Sequence, residues 1–291
     1  MRARGGGRNK FISGVEGNRT AASSEDEAMR TTGLQPAGMN PAELANIAEN
    51  ERDHWWYRGM REILHAMLSR HLAGKRISLA LEAGCGTGYT ADWVQRRYGW
   101  KVVPVDIEST ALRYMRNVKS LDSAQADVRL LPFRDTSFDI VLSFDVLVHL
   151  SPGDERKCLA EFFRVTAPGG LLVLRAAAFD ALRSRHSEFI EEKQRFTRGA
   201  LTRAVVEHGF RVLECSYANS LLLPVALAKF RIWEPLLRKP PASGVEEFPG
   251  WLNKLLYAVL GMEAKWIRWG QSIPLGQSLM LIAEKPAAKS N

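Results

Sequence analysis

Apolar positions divide this chain into three regimes: a poorly patterned start, a long alternation of strand-like and helix-like segments, and a tryptophan-rich interruption before the end. Residues 1–38 are rich in Gly, Ser, Thr and Arg with scattered apolar residues, a composition that predicts a disordered tail. Met39 opens a better-patterned segment and is a candidate alternative translation start. From Pro41 to Leu72, apolar residues recur three and four apart (Ile63, Leu64, Met67, Leu68, Leu72), predicting helix, with Gly74 as its stop. This segment, 39–75, reads as an N-terminal helical cap.

Strand and helix signals then alternate. ISLALEAG, KVVPVD, a weak SAQAD, FDIVLSFDVL, LLVLRAAA and FRVLECSYAN read as six strands, and SLMLIAEKP as a last one. Helices are predicted over Thr90–Tyr98, Glu108–Asn117, from Ser151-Pro152 to Val165, and from Thr197 to His208, where Gly209 ends the run. APGG before the fifth strand reads as a turn. Continuous apolar strands alternating with helices imply a parallel sheet covered on both faces. The expected architecture is α/β: a doubly wound, Rossmann-like, seven-stranded, mostly parallel sheet with the last strand antiparallel. Residues 76–219 would form its core. Residues 220–274 would be a helical insert, with Leu252, Leu255, Leu256, Val259 and Leu260 as a stripe at helical spacing, and 275–291 would supply the last strand and a tail.

Composition narrows the class. The 291 residues, 46% hydrophobic, suffice for one large domain or two modest ones. There is no run of about 18 uncharged apolar residues, so no transmembrane helix is expected. The basic start is not followed by an apolar segment, so it does not read as a secretory signal. Cys85, Cys158 and Cys215 are far apart and fit neither a zinc pattern nor a disulfide framework; no metal is expected, and the cytoplasm is the expected compartment. A net charge of +8 suits an anionic substrate, a nucleic acid, a membrane surface, or simply an ordinary basic exterior.

The chemistry concentrates in Leu79–Gly88, LALEAGCGTG. Gly84, Gly86 and Gly88 allow a sharp turn at the carboxyl end of the first strand, where ligands of open parallel sheets bind. Asp106 ends the second strand and can accept hydrogen bonds from both hydroxyls of a ribose. The dinucleotide fingerprint spaces its glycines GxGxxG; here they are GxGxG, with Tyr at 89. Glu82 stands two residues before the first glycine. A carboxylate there repels a pyrophosphate and suits the sulfonium and ammonium of S-adenosylmethionine. Cys85, inside the turn, has no partner base in view and reads as a small residue.

These motifs resemble those of class I S-adenosylmethionine-dependent methyltransferases, in particular the branch whose catalytic domain is similar to that of quinone-biosynthesis methylases, over about residues 54–285. LEAGCGTG, VVPVDIE, QADVRLLPF, SFDIVLSFDVLVHL and RVTAPGGLLVL carry the likeness. Glu82 stands where the family more often has Asp. The resemblance implies Asp106 as ribose ligand, Ile107 packed on adenine, Asp127 near the adenine amino group with the Val128 N–H beside it, and Phe144 lining the methionine moiety. HWWYRGMR, an RFT-initiated helix and the C-terminal stretch resemble a subgroup acting in bacterial cell-surface saccharide and lipid-linked pathways. That implies a small-molecule acceptor, with a quinone or secondary-metabolite scaffold as alternative. A basic run before the threonine of that helix is reduced here to Lys193-Gln-Arg195.

Other residues carry two readings each. His149 could be a general base or a packing histidine, and His186, just after the fifth strand, lies where acceptors dock. Tyr57 and Arg58, in the cluster His54–Arg58, could fold over the cofactor, with Arg58 pairing the methionine carboxylate; alternatively the cluster packs as an aromatic face with Arg58 reaching to solvent. The insert's Trp233, Trp251, Trp266 and Trp269 could be core, pocket wall or an interfacial surface compatible with peripheral membrane contact. A nucleic-acid acceptor is disfavoured, because Ser143–Val146 replaces the tetrapeptide of base amino-methylases. Two further classes stay open: a dinucleotide-dependent oxidoreductase and a non-catalytic S-adenosylmethionine-binding module. The oligomeric state is not legible.

Overall fold

The computed structural model of the chain describes residues 40–115, 121–237, 240–245 and 248–287. The expected disordered tail, the alternative start at Met39 and the last residues of the helix expected to reach Asn117 lie outside them.

The sheet has seven strands: β1 (Leu79–Ala83), β2 (Lys101–Asp106), β3 (Ala124–Gln125), β4 (Phe138–Phe144), β5 (Thr166–Ala177), β6 (Arg211–Ala218) and β7 (Ser278–Glu284). Their order is β3-β2-β1-β4-β5-β7-β6, with β1 to β5 parallel and β7 antiparallel to both neighbours, as expected. The winding order reverses between the parallel neighbours β1 and β4, from which the two halves of the sheet wind outward, so their carboxyl ends border the crevice where such sheets bind ligands. Leu81, Ile140, Leu142, Leu171 to Leu174 and Leu279 to Ile282 are fully buried, each contributing on the order of 1.5–3 kcal/mol.

Helices cover both faces. The predicted single helix over Pro41–Leu72 is two helices, α1 (Pro41–Asn50) and α2 (Trp55–His71). Long-range contacts break it. The Arg61 guanidinium donates to the carbonyls of Glu51 and Arg52, and the His54 side chain caps the Trp56 N–H. Asn253 accepts from the Trp55 N–H at 2.8 Å. Three further helices flank the sheet: α3 (Tyr89–Tyr98), α4 (Ser109–Met115) and α5 (Asp154–Val165). The last starts two residues later than its Ser-Pro signal predicts, because Gly153, at φ +99°, takes the cap position with its N–H on the Glu155 carboxylate. The predicted APGG turn is part of β5: Gly169 and Gly170 exchange backbone bonds with Lys285, extending the ladder.

After β5 come α6 (Arg185–Phe189) and α7 (Arg198–Glu207), the second capped by Thr197 as read from sequence. Between β6 and β7 lie α8 (Leu223–Ala228), a π-helical turn at Lys229–Trp233, α9 (Glu234–Leu237) and α10 (Gly250–Arg268). α10 packs along α2. Gly59 permits that approach: a Cβ there would fall 2.3 Å from the Leu260 Cδ1.

Candidate active site

The glycine turn connects β1 to α3 at the carboxyl edge of the sheet. Gly84 and Cys85 both donate their N–H to the Val105 carbonyl of β2, so the turn is stitched to the next strand. Gly84 has φ +77°, and a Cβ there would fall 2.1 Å from Val146 Cγ2; at Gly88, φ +79°, it would meet Met115 Cγ at 2.6 Å. These two glycines serve the protein's own packing. Gly86, with φ +54°, has open room, with Leu44 of α1 3.6 Å from the position of an added Cβ.

Carboxylates converge here. Asp106 accepts from the Gly86 N–H at 2.8 Å and the Glu108 N–H at 3.0 Å, one on each oxygen, which leaves lone pairs for two hydroxyls. Burial holds its carboxyl above the usual range against these bonds. Glu82, 2% exposed, has an oxygen with no hydrogen-bond partner, and burial, with Glu51 nearby, pushes its carboxyl up to about 8. A buried, partner-poor carboxylate at the mouth of a glycine turn fits a cationic ligand and opposes a pyrophosphate.

Three groups of this site escaped the sequence reading. Glu51, just past α1, accepts a hydrogen bond from the Thr87 hydroxyl at 2.6 Å, fastening the helical cap onto the glycine turn; burial raises its carboxyl to about 7. Arg175, at the end of β5, pairs with Asp145 and lies under Trp56, 4.9 Å from the ring centroid, and against Phe144 at 5.3 Å. Asp145 adopts φ +58°, a strained conformation for a non-glycine residue, held by that pair and by its N–H on the Arg175 carbonyl. A charge closing a buried strand was the one legible signal for Arg175.

The remaining expected residues divide. The Cys85 thiol points to Met115 Sδ at 3.2 Å inside a cluster with Leu44 and Ala111, and burial pushes it well above the usual thiol range. Ile107 is half-buried, its carbonyl bonded by Gln125. The Asp127 carboxylate is taken up by Arg129, through its N–H, Nε and Nη2 at 2.7–3.1 Å, and Arg129 also pairs with Asp154. Val128, between them, buries its side chain. Tyr57 lies among Glu43, Glu51, Arg175 and Asp145, and burial, its largest influence, raises its hydroxyl far above the usual range. Arg58 turns away from this group and stacks on Tyr257 of α10, 4.1 Å from the ring centroid.

The two histidines lie near each other and are both held below the usual imidazole range by burial. His186 Nδ1 accepts from the Gly244 N–H at 2.8 Å, so the ring is neutral there; Glu43 of α1, at 3.7 Å, does not reverse this. His149 Nδ1 has no hydrogen-bond partner among the described residues. The turn that carries it is strapped by Lys193 and Gln194, whose N–H groups share the Val148 carbonyl. Arg195, the remnant of the basic run, pairs with buried Glu192 and with Ser187 Oγ. Among the described residues no cluster of side chains could hold a metal ion.

Part of this chain is similar to known proteins. Residues 81–174 match a family described as Methyltransferase domain. A curated probable S-adenosylmethionine-dependent methyltransferase of Mycolicibacterium smegmatis is 31% identical over 123 residues, covering 42% of this chain and 45% of the relative. The chain spans about half the length of the first such relatives it matches. Among solved structures, a protein provisionally identified as a sarcosine dimethylglycine methyltransferase from Galdieria sulphuraria has a TM-score of 0.51 at 17% identity, covering 78% of this chain and 86% of that one. The cyclase SpnF has a TM-score of 0.50 at 18% identity, covering 78% and 81%. Both likenesses concern the fold, which hosts more than one chemistry. The segment of this chain similar to a methyltransferase domain, from β1 through most of β5, is the one that contains Glu82, the three glycines, Asp106 and Asp127.

Proposed function

We propose that this chain is an S-adenosylmethionine-dependent methyltransferase acting on a small-molecule acceptor. One observation carries the reading: a buried carboxylate with an unpartnered oxygen, Glu82, stands beside the backbone-bonded carboxylate of Asp106 across a glycine turn. Asp106 would hold the ribose, Glu82 the cationic methionine end, and Phe144 and Tyr57 the walls around it, with Gly86, Ile107 and Val128 toward the nucleoside. Bound cofactor supplies an electrophilic methyl on sulfur, so the residues have chiefly to align and desolvate. Asp127 is a weaker candidate for the adenine amino group, since Arg129 already takes its acceptor sites.

Within this reading His149 is the base for an acceptor hydroxyl: it is neutral, and its Nδ1 is unpartnered among the described residues. His186 is a positioning residue joining α6 to the segment around Gly244. The acceptor class follows from resemblance alone, as a saccharide or lipid-linked metabolite.

Thermal unfolding of the wild type and Asp106→Ala with S-adenosylmethionine, S-adenosylhomocysteine, NAD and NADP tests the cofactor. A ligand at 100 times its Kd adds about 2.7 kcal/mol. Stabilisation by the first two, lost in the variant, is expected. Stabilisation by NAD alone assigns an oxidoreductase and overturns the proposal. Cofactor binding with no labelled methyl transfer to saccharide or lipid fractions overturns that acceptor class, and with no transfer to any extract component it leaves a non-catalytic binding module.

A further inference from the structure

The four tryptophans of the insert do not enter the core. Trp233, Trp251, Trp266 and Trp269 are 63%, 69%, 52% and 73% exposed. Three belong to one surface. At about 100° per residue, Trp251, Leu255, Met262, Trp266 and Trp269 fall within an arc of about 60° on α10 and its cap. Every one of them is more than half exposed. The opposite side, with Leu260, Ala264 and Ile267, is buried, and α10 packs along α2. A helix apolar on both sides has one side too many for a monomer in water.

Charge limits what can cover it. Lys254 and Lys265 project beside the exposed arc, and Arg268 follows on the same flank; all three are exposed. The single acidic residue of α10, Glu263, is buried on the other side, where it accepts the N–H groups of Ser220 and Leu221. Among the described residues of α10, the exposed arc and its flank are therefore apolar and cationic, with no carboxylate. A second copy docking about a twofold axis, with α10 antiparallel, would set Lys254 against Lys265 and Arg268, cation against cation. An anionic lipid headgroup layer complements the cations, and tryptophan is the side chain best suited to the boundary between headgroups and acyl chains. No helix among the described residues is long and apolar enough to cross a membrane.

We propose that the outer face of α10 is a docking surface for an anionic lipid bilayer, with the helix lying in the interface plane. The proposal stands independently of the methyl-transfer reading. The test is co-flotation of the full chain with vesicles of phosphatidylcholine, with or without about one third phosphatidylglycerol, together with tryptophan emission. Expected are flotation and a blue shift with the anionic vesicles only. In the triple variant Lys254→Glu, Lys265→Glu, Arg268→Glu, partition should fall at least about tenfold with the unfolding curve unchanged. A Trp251→Ser, Trp266→Ser, Trp269→Ser variant should lose the blue shift. Failure to float, equal binding to neutral vesicles, or dimerisation that buries the tryptophans instead overturns the proposal.

Discussion

The two ends of the ligand-binding edge are built on opposite principles. At the cofactor side, β1, the glycine turn and β2 lie within about thirty residues of one another, and backbone groups make the site: Val105 receives two N–H groups and Asp106 receives two more. At the proposed acceptor side, His149, Arg175, His186, Glu192 and the insert come from distant segments, and Arg175, His186 and Glu192 are held by side-chain contacts. The first arrangement tolerates few substitutions and reads directly from sequence. The second can be rebuilt pair by pair, as a fold that serves many acceptors requires.

The largest effects that test this contrast come from adding a methyl group on one side and removing carbons on the other. Gly84→Ala would place a Cβ 2.1 Å from Val146 in a left-handed conformation, and should cost about 3 kcal/mol or more and abolish cofactor binding. Leu260→Ala, which empties the contact over Gly59, should cost about 2–5 kcal/mol and leave cofactor affinity intact. Urea denaturation with calorimetric binding separates the two. Equal losses of affinity would mean that the insert and the turn are one unit.

Legibility followed the same division. The seven strands, the glycine turn, Glu82 and Asp106 depend on short-range patterns: apolar runs, glycines where β1 ends, an acid where β2 ends. Glu51 was not legible, because nothing near it in sequence indicates that Thr87 lies opposite, and the Arg61 bonds that end α1 defeat the periodicity running through it. For Asp127, the motif pointed to adenine but could not reveal that Arg129, two residues on, occupies it. In the insert, Leu252, Leu255, Leu256, Val259 and Leu260 form a stripe at helical spacing, with core, pocket wall and interfacial surface all open as readings. Leu260 is buried and Leu255 is 53% exposed, because spacing fixes which residues share an arc and leaves open which of two apolar arcs turns inward.

A smaller effect sharpens the electrostatic half of the comparison. Glu82 titrates at about 8 in the folded chain, against about 4.3 when unfolded. Between those values the folded state keeps a proton that the unfolded chain has lost, so this carboxyl's contribution to stability falls as pH rises through that window. Glu51, near 7, has the same sign. Glu82→Gln should flatten the decline in unliganded stability between about pH 5 and 8, leaving the part due to Glu51. A cationic ligand favours the ionised form, so wild-type affinity should rise toward pH 8 with proton release, and the variant should lose that trend and bind about tenfold more weakly at pH 8.5. Calorimetry in buffers of different ionisation enthalpy measures the proton directly. Unchanged proton release in the variant would place the responsive group elsewhere, with Glu51 next in line.

The smallest expected effect lies on the outer face of α10. Trp251→Ser or Trp266→Ser removes a large apolar side chain that touches little protein, so stability in dilute buffer should change by no more than about 0.5 kcal/mol. Cofactor affinity should not change at all. Truncating a buried tryptophan costs about 3–5 kcal/mol, so the two cases are an order of magnitude apart and a single chemical denaturation series distinguishes them. A small loss means that the face has no structural task within the chain, and that its apolar area is retained for something outside it. A loss of several kcal/mol would show that another part of this chain folds over α10, and the division between a self-contained cofactor side and an outward-facing insert would then fail where it is now sharpest.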